Sequence, residues 1–356
     1  MDIISPLPIQ SIRKPWLKRP LFYILLAVAV VLVYFALRLG SIYNAIVVGN
    51  DATVTPISEE DRLYPLPSPE SDRLDVLVLG IRGYTQKEVE EEGGLLADTI
   101  QVVSIDKINR KVAVIAIPRD LSINILGVKG KLNQIYERGL EQKQGLELAK
   151  QIISRLTGIY IDKAVVFDFN AFRHIVDTLG GIDVYLARPF SEPSQWGYPF
   201  LLPVGNNHLD GEQALYYTRS RLSTSDFDRA HRQQEVMTAI KNKAAKLGYF
   251  SNPVKITNLL NALKGDIRTD FQLWDVSDAL KLGGTFNPQA AITNYVLSTD
   301  NLLYETYNAK SEYILLPKGD NYDMVRELFI EILQGVANEK TSGFDRYGKF
   351  GQLVYS

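Results

Sequence analysis

The chain of 356 residues has no cysteine and only three histidines, His174, His208 and His231. The first absence removes thiol catalysis, disulfides and thiolate metal sites. The three imidazoles do not follow a ligand spacing such as HExxH, which excludes a histidine-rich zinc centre. Charge of one sign is also missing: 39 Lys and Arg stand against 41 Asp and Glu, a formal net charge of -2. A bulk nucleic-acid binder carries a basic surplus, so no nucleic-acid partner is expected. The GxGxxG and GxxxxGK phosphate loops and the GxSxG elbow are absent, which argues against dinucleotide, P-loop and serine-hydrolase sites.

A long uncharged run is present. Residues 21–37, LFYILLAVAVVLVYFAL, are 17 in number and carry no charge, which is the short end of what a bilayer requires. Arg38 can snorkel and extends the span to residue 39. Arg13, Lys14, Lys18 and Arg19 precede it, which places the N-terminus inside and the remainder outside. No small-x-small cleavage site follows, so the run reads as an uncleaved anchor in a lipid bilayer rather than a signal peptide. The division of the chain is then a cytoplasmic tail (1–20), a transmembrane helix (21–39), a linker or stalk (40–73), an extracytoplasmic domain (74–336) and a loose tail (337–356). Four prolines in residues 50–73 support the stalk. A domain without cysteine folds unaided outside the cell when its core is large, and roughly 280 residues suffice for that.

Within the domain, strands are expected at 75–80, 99–105, 111–117, 164–169, 182–186 and 314–317. Helices are expected within 139–157 and at 171–179, 209–214, 229–247 and 322–336, with two short ones in 254–283. Residues 187–208 read as irregular, and 215–219 as an extended edge segment. Strand alternating with helix indicates an α/β fold, a layered α-β-α domain with a central mixed sheet, behind one N-terminal transmembrane helix.

Polar chemistry concentrates in RSRLSTSDFDRAHRQQ, residues 219–234. Arg219 and Arg221 share a face if that segment is extended. Arg229 and Gln233, four apart, share a face of the following helix. Asp226 and Asp228 stand before that helix, as caps or as partners for an arginine. Three guanidiniums and an amide near a helix start form a pyrophosphate cradle, or else a solvated charged face. Asp98, between an apolar run and a buried strand, is a Mg²⁺ ligand or a turn cap. Arg119 and Asp120 end the third strand, where open sheets bind ligands, or they form a lip salt bridge. Lys131 and Asn133 carry a weaker signal. Tyr216 and Tyr217 are core residues or a saccharide platform.

The motifs DVLVLG (75–80), ADTIQVVSID (97–106), AVIAIPRDLSINI (113–125), KLN (131–133), IVDTLGGIDV (175–184), LDGEQALYYTRSR (209–221) and DFDRAHRQQEV (226–236), in this order behind a single span, resemble the LytR-CpsA-Psr family. The likeness runs from about Leu74 to about Leu247. It implies a membrane-anchored transferase that moves a glycopolymer from a polyprenyl-pyrophosphate carrier onto peptidoglycan through a phosphodiester, with Mg²⁺ or Mn²⁺. It implies that Asp98 binds the metal, that Arg119, Arg219, Arg221, Arg229 and Gln233 bind pyrophosphate, and that Asp120 stands beside the motif arginine. Asp98, Arg119, Asp120 and Arg221 are the candidate catalytic residues, with Asp98 or Asp120 as base. It also implies an apolar tunnel for the lipid tail. The sequence departs from the family at two positions. Arg82 stands where an aspartate is usual, and Leu96 where an arginine is usual. Arg82 is a candidate to replace the missing positive charge, and Glu92, in the insertion GYTQKEVEEEGG, to restore the carboxylate. A polyprenyl-pyrophosphate hydrolase and a non-enzymatic lipid- or glycan-binding envelope protein are the alternatives.

Overall fold

A computed structural model describes residues 62–84, 93–220, 222, 226–249, 252–271 and 292–333. The expected span at 21–39, Glu92, Arg221 and the tail from 337 lie outside the described residues. Among the described residues, no helix is long and apolar enough to cross a membrane.

A six-stranded mixed sheet organises the domain. Its strands are β1 (Arg73–Gly80), β2 (Thr99–Asp106), β3 (Lys111–Ala116), β6 (Lys163–Phe167), β11 (Ile267–Thr269) and β12 (Ile292–Val296), in the order β11-β6-β1-β2-β3-β12. β1 runs parallel to β6 and β3 to β12; the other pairings are antiparallel. Among the described residues, four two-stranded ribbons accompany this sheet. They pair β4 (Ser122–Ile125) with β5 (Val128–Lys131), β7 (Ile182–Leu186) with β10 (Gly205–Leu209), β8 (Phe190–Glu192) with β9 (Phe200–Leu202), and β13 (Leu303–Tyr307) with β14 (Tyr313–Pro317). The helices are α1 (Ile135–Glu141), α2 (Leu146–Thr157), α3 (Phe169–Thr178), α4 (Gly211–Arg219), α5 (Asp226–Lys246), α6 (Pro253–Ala262) and α7 (Asp323–Leu333).

The two faces of the sheet are packed differently. Side chains alternate along each strand, and the register puts Leu77, Leu79, Ile100, Val102, Ile115, Ala164 and Val166 on one face. All are buried in one cluster with apolar residues of α1, α2 and α7. The other face carries Val78, Val103, Val165 and Phe167, which stay half-buried. A second cluster, built from α3, α4, α5 and β7–β10, stands over that face. Gln234 fixes α5 to it, donating from Nε2 to the carbonyls of Val114 (3.2 Å) and Tyr295 (2.7 Å).

Two expectations are corrected, and one is refined. The helix expected within 139–157 is α2, and α1 precedes it, separated where Lys143 and Gly145 take φ of 57° and 53°. Residues 187–208 contain β8, β9 and the start of β10; their short runs do not stand out from loop in sequence. Residues 215–219 are helical rather than extended. Asp210 starts α4 with a capping box, its Oδ1 accepting from Gln213 N at 2.8 Å and its N donating to Gln213 Oε1 at 3.2 Å, and the helix continues to Arg219. The end of the expected stalk lies against the domain: Arg155 Nη1 donates to the Tyr64 carbonyl at 2.7 Å, and the Tyr64 ring meets Tyr322 edge-on at 5.0 Å.

Candidate functional site

A cavity of about 250 Å³ opens at the carboxyl ends of β1 and β6, on the half-buried face of the sheet. Gly80 keeps its floor low, since a Cβ there would meet Thr99 Cβ at 3.0 Å and the Phe167 ring at 3.2 Å. Phe167, Phe169, Phe172, Leu215 and Met237 form the apolar wall. Arg82, Arg119, Arg219 and Arg229 supply four guanidiniums, and Asp98 is the one carboxylate among the described lining residues. Four of the five arginines weighed in sequence are thus brought together; Arg221 is the one outside the described residues.

Backbone contacts place the rim. The Asp98 N–H donates to the Gly80 carbonyl at 2.8 Å. Asn133 joins the two halves of the mouth: its N–H donates to the Arg119 carbonyl at 3.0 Å, and its carbonyl accepts from Ala97 N at 2.8 Å. The weak KLN signal therefore reports a strut. Arg82 is held by its own backbone, its N–H donating to Gly94 O at 3.2 Å and its carbonyl accepting from Phe169 N at 3.3 Å. The guanidinium of Arg119 donates from Nη1 to Asp98 Oδ1, and its Nε lies 3.4 Å from Asp120 Oδ2. Lys131 Nζ holds the other Asp120 oxygen at 2.7 Å. Asp120 is buried and faces a small adjoining cavity of about 30 Å³ rather than the main one. Two cations fix its carboxylate, so it positions Arg119; Asp98 lines both cavities.

Arg219 ends α4 with its guanidinium carbon 4.0 Å from the Phe169 ring centroid and 5.1 Å from that of Trp196. Burial pulls its pKa below the ordinary guanidinium value; Asp98 opposes this shift and Arg82 adds to it. Desolvated, mutually repelling cations favour a multivalent anion. Trp196 is itself seated, stacked on Tyr216 at 4.5 Å and donating from Nε1 to Ser220 Oγ at 2.9 Å. Arg229 and Gln233 both line the cavity from α5, as their spacing implies. Asp228, expected before that helix, lies within its first turn, and Asp226 is its first residue.

Arg232, part of the same dense run, serves another purpose. It is buried, donates from Nε to the Tyr217 carbonyl at 2.9 Å and from Nη2 to the Ser220 carbonyl, and lies 5.0 Å from the Phe190 ring centroid. It ties the end of α4 to α5. Tyr217 is core at 3% exposure, while Tyr216 is half-buried beside Trp196. Sequence reasoning missed Gln101, Gln195, Phe169 and Trp196 as contributors to the site. The first is polar within a buried strand, a signal visible in TIQVVS; the others come from segments without motif spacing.

Among the described residues, no group of three or more His, Asp or Glu stands together to hold a metal ion. Asp98 has an exposed fraction of 36% and faces a cavity lined by four arginines. Mg²⁺ accepts one carboxylate together with waters and substrate phosphates. The residues therefore fit an ion completed by substrate, not a preformed cage.

The LytR_cpsA_psr family model matches residues 46–327. A polyisoprenyl-teichoic acid–peptidoglycan teichoic acid transferase TagU of Oceanobacillus iheyensis is 30% identical over 272 residues, covering 73% of this chain and 76% of that one. TagV of Bacillus subtilis, named as the same kind of transferase, is 26% identical over 274 residues, covering 75% and 66%. A solved structure described as TagT bound to LIIa-WTA superposes with a TM-score of 0.57 at 21% identity, over 81% of this chain and 99% of that one.

Proposed function

The chain belongs to the LytR-CpsA-Psr family, and we propose that it transfers a polyprenyl-pyrophosphate-linked glycopolymer to peptidoglycan as a phosphodiester. The observation that carries this reading is the pairing of four arginines with an aromatic and aliphatic wall in one cavity. A pyrophosphate joined to a hydrocarbon chain needs both. The relatives named above act on polyisoprenyl-linked teichoic acid, which is the same chemical class. The uncharged run at 21–37, extended to residue 39, acts as a membrane anchor and holds the domain outside the cell, next to lipid carrier and wall.

In the reaction, a hydroxyl oxygen of the acceptor bonds to the phosphorus that carries the polymer. The bond from that phosphorus to the bridging oxygen breaks, and the carrier leaves as a polyprenyl phosphate. Negative charge grows on the phosphate left with the carrier. Arg119, Arg219 and Arg229 stabilise it, with Arg221 of the same motif and Arg82 as further cations. Gln233 adds a neutral donor. Asp98 would hold Mg²⁺, which when bound neutralises phosphate charge. Asp98 is also the carboxylate at the mouth to which an acceptor hydroxyl can pass its proton, whereas Asp120 keeps Arg119 in place.

Incubation of the protein with a polyprenyl-pyrophosphate-linked glycan, with and without peptidoglycan, tests the reading. Transfer gives glycan covalently attached to the wall and polyprenyl phosphate. Release of polyprenyl phosphate at the same rate without acceptor would mean hydrolysis, and binding without turnover would mean a lipid-binding envelope protein.

A further inference from the structure

Gln101 lies in the middle of β2, opposite Val78 on one side and Ala116 on the other. It is 1% exposed, and neither Nε2 nor Oε1 has a hydrogen-bond partner among the described residues. It lines the cavity from the same face as Thr99. A buried amide left unpaired costs free energy that an apolar side chain of the same shape would not. The ligand-free fold therefore has no use for an amide here.

Its place in the cavity indicates what completes it. Gln101 stands two residues, about 7 Å, inward of Thr99 along the strand. The guanidinium groups of Arg82, Arg119 and Arg219 belong to residues at the strand and helix ends that form the mouth. From α5, Gln233 and Met237 line the same cavity, and the bonds from Gln234 to Val114 and Tyr295 anchor that helix on the sheet. Beyond the mouth the wall is aromatic and aliphatic. The atoms of an amphiphilic anion at this depth are those where its phosphate meets its hydrocarbon chain.

We infer that Gln101 is a ligand-binding residue whose amide donates a hydrogen bond to the chain-side phosphate of the carrier, the phosphate that leaves with the lipid. This inference rests on the proposed reading of the cavity. It adds a neutral donor inside the ring of arginines, at the junction of head group and tail. A neutral donor suits this depth, because an added cation among apolar walls would bear a far larger desolvation penalty.

Gln101→Met keeps length and apolar contact while removing both polar atoms, and Gln101→Leu is a second variant of different shape. Thermal unfolding of the ligand-free protein is measured first. Binding of geranylgeranyl pyrophosphate, geranylgeranyl monophosphate and geranylgeraniol is then followed by calorimetry. The melting temperature of the Met variant is expected to rise by about 2–4 °C. Affinity for both phosphorylated probes is expected to fall about tenfold, and geranylgeraniol binding should not change. Wild-type affinity for the phosphorylated probes in both variants overturns the inference, as does a lowered melting temperature in both, which would give the amide a structural partner. Failure of the wild-type protein to bind any phosphorylated probe overturns the reading of the cavity itself, and the inference with it.

Discussion

Asp98 and Arg119, twenty-one positions apart in sequence, meet at the mouth of the cavity through Oδ1 and Nη1. The pair couples the only lining carboxylate among the described residues to a cation that anion binding must recruit. Asp98→Asn removes one negative charge from a site of four arginines. It is expected to bind a polyprenyl pyrophosphate at least as tightly as wild type in the presence of a chelator. It should lose the gain in affinity that Mg²⁺ gives the wild-type protein. Titration calorimetry with and without Mg²⁺ checks both; an undiminished Mg²⁺ effect would remove Asp98 from the metal site.

Arg229 and Arg232 are three residues apart and do different work. Arg232→Met deletes a buried guanidinium that bonds the Tyr217 and Ser220 carbonyls, and the expected loss is about 2–4 kcal/mol of stability. Denaturant unfolding measures it. Arg229→Met removes a cavity-lining cation, and the expected result is at least a roughly tenfold loss of pyrophosphate affinity. Equal affinity losses in the two folded variants would contradict this division.

Glu235 gives a pH dependence. Burial raises its pKa, while the hydrogen bond from Tyr217 Oη, at 2.8 Å, and the charges of His231 and Arg232 pull it back. A carboxyl whose pKa is higher folded than unfolded holds its proton longer in the native state. It therefore lowers stability as pH rises from the unfolded carboxylate range, about 4.3, through the folded value. Glu235→Gln retains an acceptor for Tyr217 and cannot ionise. Its melting temperature relative to wild type should climb between pH 4.5 and pH 8. A constant difference across that range would show that Glu235 titrates normally.

Trp196 acts through Arg219. Trp196→Ala removes one of the two rings near that guanidinium, a contact worth about 0.5–2 kcal/mol. Pyrophosphate affinity should fall about fivefold, consistent with that range. Trp196→Phe should restore most of it. Failure of phenylalanine to rescue would point to the Nε1 bond to Ser220 as the feature that matters.

The central strands were legible because their apolar runs are bounded by turn residues, as in DVLVLG ending at Gly80 and VAVIAIP ending at Pro118. The ribbon β8–β9 and the strand β13 were not, since strands of three to five residues are stabilised by pairing partners remote in sequence. The arginine half of the site was readable from side-chain chemistry, and the i,i+4 spacing of Arg229 and Gln233 placed both in the cavity. Spacing alone could not separate Arg232, which differs only in the direction it faces on α5. It also misjudged Arg219, because the capping box at Asp210 extends a helix through a segment rich in strand-favouring tyrosine and threonine. Arg82 was found through its departure from the family pattern, and the structure puts it in the cavity. Gln101 was overlooked because a polar residue in a buried strand acquires meaning only when its missing partner is known.

The central claim is that the arginine-lined cavity binds a lipid pyrophosphate and directs its phosphate to a wall hydroxyl. Transfer of radiolabelled glycan from a polyprenyl-pyrophosphate carrier to peptidoglycan by the full-length protein, compared with Arg119→Ala, tests it most directly. The account predicts acceptor-dependent transfer by the wild type and a loss of at least about a hundredfold in the variant, with its circular dichroism spectrum retained. Wild-type rates of transfer by a folded Arg119→Ala protein would contradict it.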